Sequence, residues 1–93
     1  MSRIITITGS PEEISILAKF ITEFGFVMND SDRARLLDID KYSLMVIVIY
    51  FPIKAIGIYE GHRDSCVYGS DTHFFLPQDI EKVEISLKNH LKG

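Results

Sequence analysis

The sequence predicts a two-layer α+β domain: a mainly antiparallel sheet of four to five strands with two helices packed on one face. Three observations point there. Leu44 to Phe51 reads Leu-Met-Val-Ile-Val-Ile-Tyr-Phe without a polar break, as a strand covered on both faces does. Two other stretches carry apolar residues at helical spacing. The 93 residues suffice for one core and are too few for a second, so the chain is a single domain, 1–93.

Ile4 to Thr8 alternates Ile and Thr and reads as a short strand. Gly9 turns the chain into a helix with a marked start, in which Ser10 caps, Pro11 takes the first helical position and Glu13 completes a capping box. Ile14, Leu17, Ala18, Ile21 and Phe24 form its apolar stripe, and Gly25 supplies the left-handed stop. Phe26 to Met28 is expected to open a second strand. Asn29 to Lys41 is read as irregular, because four acids and two arginines surround only Ala34, Leu36, Leu37 and Ile39; a short helix from Ser31 and an exposed strand and loop are the alternatives.

Tyr42 to Phe51 is the long apolar strand, and Pro52 ends it because proline cannot donate to the ladder. Ile53 to Glu60 is expected to pair with it, Gly61 to Asp64 to turn, Ser65 to Tyr68 to add a meander strand and Gly69 to Thr72 to turn again. His73 to Leu76 reads as a short edge strand. Pro77 to Leu91 closes the chain as a helix with Ile80, Val83, Leu87 and Leu91 on one face, while Ile85 falls off that stripe and is a candidate for contact with a partner.

The formal net charge of -3, with Lys and Arg dispersed, gives no long-range pull toward phosphate backbones or anionic lipid. One cysteine, Cys66, excludes an internal disulfide, and no signal-like segment opens the sequence; a cytoplasmic protein is expected. Leu44 to Tyr59 is broken by Pro52 and Lys54 and falls short of a spanning helix, so no membrane role is expected.

No constellation here identifies a reaction, and the chain is read as not an enzyme. Cys66 beside His62 or His73 is the one pairing fit for nucleophilic chemistry, with Asp64 to orient the imidazole, but no glycine-rich oxyanion turn adjoins it. A metal would need His62, Cys66 and His73 to converge with Asp64 or Asp71, at a spacing that fits no zinc pattern; neither metal nor cofactor is expected. The Asp30 to Asp40 acids lack the glycine and terminal Glu of a calcium loop. Phe74 and Phe75 are adjacent, so one of them points away from the core of an extended strand.

Ile4 to Ile21, reading Ile-Ile-Thr-Ile-Thr-Gly-Ser-Pro-Glu-Glu-Ile and then Ala18 and Phe20-Ile21, resembles the last strand and helix of KH RNA-binding domains. That family grips nucleic acid with a Gly-x-x-Gly loop ahead of this unit. Met1 to Arg3 hold no such loop, and Gly61 to Asp64 ends in Asp where the second glycine belongs. The resemblance covers under a quarter of the chain and is set aside as shared strand, turn and capped-helix grammar.

The functional expectation is a small protein-interaction module, an adaptor or inhibitor that works as a homodimer and docks on a larger macromolecule. Its binding surface is expected at His62, Arg63, Asp64, Asp71, His73 and Phe74 with Arg33 and Arg35 nearby, and its dimer interface at Met45, Ile47, Ile49, Ile56 and Ile58. The alternatives are a small-molecule-binding domain or small enzyme around Cys66, His62 and His73, and a nucleic-acid-binding domain with a KH-like unit.

Overall fold

Ile5 and Ile7 stand opposite Ile49 and Ile47 on the neighbouring strand, and this pairing sets the register of the whole sheet. The computed structural model describes residues 4–61 and 72–91, and of Ile39 the backbone alone. Their elements are β1 (Ile4–Gly9), α1 (Pro11–Thr22), α2 (Asp30–Leu37), a 3-10 turn (Ile39–Lys41), β2 (Met45–Tyr50), β3 (Ala55–Glu60), β4 (Thr72–Phe75) and α3 (Ile80–Leu91). The sheet order is β3-β2-β1-β4. β1, β2 and β3 pair antiparallel, whereas β4 lies parallel to β1. The fold is therefore α+β with a mostly antiparallel four-stranded sheet.

Alternation on the strands divides the apolar residues between two faces. Ile5, Ile7, Met45, Ile47, Ile49, Ile56 and Ile58 point toward Ile14, Ala18 and Ile21 of α1 and Val83 and Leu87 of α3, and together they make the core. Met45, Ile47, Ile49, Ile56 and Ile58, expected at a dimer interface, are thus 0–3% exposed beneath the chain's own helices. No apolar surface remains there for a second copy.

The opposite face carries Thr6, Thr8, Val46 and Val48, which lie outside that core cluster and are nevertheless buried. Part of their cover is aromatic. A Cβ on Gly57 would stand 2.9 Å from the Tyr59 hydroxyl, so the Tyr59 phenol lies back across Gly57, where it hydrogen-bonds to Tyr50. At these four residues the second face is buried within one chain.

α1 forms as its sequence dictates. The Ser10 hydroxyl accepts from the Glu13 amide at 3.2 Å and the Glu13 carboxylate accepts from the Ser10 amide at 3.0 Å, which completes the capping box. Gly25 stops the run at φ 88°. Phe24 lies beyond the helix and is exposed rather than part of a buried stripe.

The segment read as irregular is mostly helix. Asn29 caps α2 by accepting from the Asp32 amide at 2.9 Å, with Asp30 and Asp32 in the first turn and Arg35 in the last. Its one buried residue is the charged Asp32, so no apolar stripe announces it. Phe26 to Met28, expected as a strand, contributes one bridge from Val27 to Ala55 instead. The expected Ser65 to Tyr68 strand lies outside the described residues.

Candidate docking face

α1 and α3 lie side by side over the sheet and leave a groove between them. It has a volume of about 770 Å³, with Leu76, Val83 and Leu87 among its lining and Ile16, Phe20, Phe24 and Ile80 along its sides. The four side residues are 44–73% exposed. Phe20 and Phe24 meet edge to face at 5.2 Å between ring centroids, forming an aromatic lip. The polar lining residues are Glu13, Glu84, Lys88 and Asn89. Glu13 is already engaged by the capping box, and the other three are exposed. A contiguous apolar surface with a charged rim is the usual mark of a macromolecular contact.

The expected binding surface is only partly within view. His62, Arg63, Asp64 and Asp71, together with Cys66, lie outside the described residues. Arg33 is exposed, its Nε 3.5 Å from the Met28 carbonyl. Arg35 has a structural task, since its Nη1 donates to the Ile58 carbonyl at 2.9 Å and pairs with Asp32 at 3.2 Å. The structure does not bring these arginines together with His73, which stands on β4 at the other edge of the sheet.

His73 is half-buried, with its Nε2 2.8 Å from the Thr8 hydroxyl and its ring stacked on Phe75 at 4.3 Å. Burial holds its pKa below the usual 6.5, which favours the neutral ring. Phe74 packs against the core, and Phe75 is the member of the pair that faces outward. Thr8, His73 and Phe75 therefore form a small half-closed cluster in which neutral imidazole is a hydrogen-bonding partner within the fold.

The helical face was not singled out by the sequence, apart from Ile85, which is 61% exposed on α3. The missed signal is that Ile16 and Phe20 also fall off the buried stripe of α1. Comparison of the chain with protein-family models, curated proteins and solved structures finds no match. Among the described residues, no helix is long and apolar enough to cross a membrane.

Proposed function

We propose that the chain is a non-enzymatic protein-interaction module, an adaptor or inhibitor, whose docking surface is the outer face of α1 and α3 with the groove between them. The observation that carries this reading is the concentration of large exposed side chains there: Ile16, Phe20, Phe24, Ile80 and Ile85 all belong to these helices or the turn after α1. Large solvent-facing apolar groups add nothing to folding and favour association, because burying each contributes roughly 1.5–3 kcal/mol. The groove suits helices of another protein chain, which present ridges of this size and spacing.

The test uses one face variant and two controls. The apolar dye anilinonaphthalene sulfonate reports the exposed groove, and its fluorescence enhancement is expected with the wild-type chain and lost with Phe20→Glu. Proteins retained from native lysate by the immobilised chain are expected to be lost with the same variant and kept with Arg33→Ala and His73→Ala. Retention that ignores Phe20→Glu but fails with either control places the docking surface elsewhere and ends the proposal.

A further inference from the structure

The outermost stripes of α1 and α3 carry the same residues at the same places. In each helix Glu is second, Ile sixth and Lys ninth: Glu12, Ile16 and Lys19 in α1, and Glu81, Ile85 and Lys88 in α3. All six are exposed. At about 100° per residue they fall within one narrow arc, opposite the buried Ile14, Ala18 and Ile21 of α1 and Val83 and Leu87 of α3. Ile16 and Ile85, 73% and 61% exposed, are the most exposed large apolar residues of their helices.

The two helices also run in the same direction. β1 and β4 are parallel, and the Leu76 amide donates to the Thr8 carbonyl, which levels the ends of the two strands. Each strand then feeds its helix back over the same face of the sheet, so both Glu-Ile-Lys stripes run with acid toward one end of the layer and base toward the other.

We infer that this face takes a second copy of the chain, with each helix antiparallel to its counterpart. The inference deepens the docking reading above and rests on it. A two-fold axis crossing the layer between Ser15 and Ile16 on α1, and between Glu84 and Ile85 on α3, sets each isoleucine beside its counterpart in the copy. The same operation sets Glu12 against Lys19 and Glu81 against Lys88, each in both directions. A parallel arrangement sets Glu over Glu and Lys over Lys. One patch thus supplies both halves of a self-complementary contact, as two-fold symmetry requires. The apolar side chains give the affinity, and the exposed ion pairs set the register.

Sedimentation velocity on the full chain across a dilution series tests this. The wild type is expected to pass from monomer to dimer with rising concentration, and Ile16→Glu and Phe20→Glu to stay monomeric with an unchanged circular-dichroism spectrum. Lys19→Glu with Lys88→Glu turns opposite charges into like charges only if the helices meet antiparallel, a parallel contact being like over like before and after, and should weaken the dimer about tenfold for four small pairs lost. Mixing that variant with a chain carrying Glu12→Lys and Glu81→Lys should restore association. A dimer indifferent to these charge changes overturns the antiparallel register, and one that survives Phe20→Glu and Ile16→Glu overturns the face. A wild type that stays monomeric at every concentration, while Phe20→Glu still abolishes dye binding and lysate capture, overturns the second copy and leaves the docking reading intact.

Discussion

The Asp32 carboxylate accepts the backbone N–H of Ile58 at 3.0 Å, taking the place that a neighbouring strand would occupy on β3. Arg35, paired with Asp32, donates to the carbonyl of the same Ile58, so one residue of an edge strand has both groups answered by side chains from α2. Val27 does the same further along with its own backbone, donating to the Lys54 carbonyl and accepting from the Ile56 amide. An edge that is otherwise a template for strand addition is closed by these contacts.

Asp32→Ala should therefore cost more than a surface change. It leaves a buried Ile58 amide without an acceptor and removes the anchor of a helix with no other buried residue. A loss of about 1–3 kcal/mol is expected in urea unfolding, with Arg35→Ala losing less because its side chain is 37% exposed and can be replaced by water. Hydrogen exchange at the Ile58 amide should accelerate in Asp32→Ala. An unchanged exchange rate would show that the carboxylate does not guard the edge.

Ser10→Ala breaks one half of the capping box, the bond from the Glu13 amide to the Ser10 hydroxyl. About 1 kcal/mol is expected to be lost. Glu13→Gln keeps an acceptor for the Ser10 amide and should lose clearly less. Chemical denaturation of the three chains side by side decides it, and equal losses in both variants count against a reciprocal cap.

What was legible in the sequence is what rests on apolar periodicity and local backbone chemistry. The Ser10 to Glu13 cap, the Gly25 stop, the β2 run and the stripe of α3 each follow from a few neighbouring residues. α2 was not legible, because its contact with the sheet is made by Asp32 and Arg35, and a charge-rich stretch of that composition reads equally as a loop. The place of the apolar excess was also misjudged. The run in β2 pointed to the sheet, yet Val46 and Val48 are buried in the single chain, whereas Ile16, Phe20, Ile80 and Ile85 on α1 and α3 are exposed. Periodicity identifies the face that turns inward; whether Ile16 or Phe20 is sheltered by something else depends on where α1 and α3 lie, which no local pattern contains.

Tyr50→Phe should release the proton that Tyr59 holds. The hydrogen bond to Tyr50 is the main cause of the raised Tyr59 pKa, ahead of burial, so its loss moves the phenol back toward 10.0. Selectively labelled tyrosine followed by NMR through an alkaline titration resolves the group. Gly57→Ala should give the same downward movement, because a Cβ 2.9 Å from the Tyr59 hydroxyl forces the ring off the sheet. If Tyr59 titrates unchanged in both variants, the phenol is not laid across Gly57 as described.

His73 gives the fold a pH dependence whose direction is fixed by its burial. The imidazole titrates below its usual 6.5 in the folded chain, so the unfolded chain binds the proton more readily and stability increases with pH through that interval. The contribution is complete above about pH 6.5 and is lost as the solution is acidified from there through the lower, folded-state value. Thermal melts between neutral and mildly acidic pH should show the midpoint falling for the wild type, and falling less steeply for His73→Gln. That variant keeps a polar group within reach of the Thr8 hydroxyl, 2.8 Å from the native ring nitrogen, but has no proton to gain. Parallel curves for the two chains would mean that another group sets the acid sensitivity, and would remove His73 from that role.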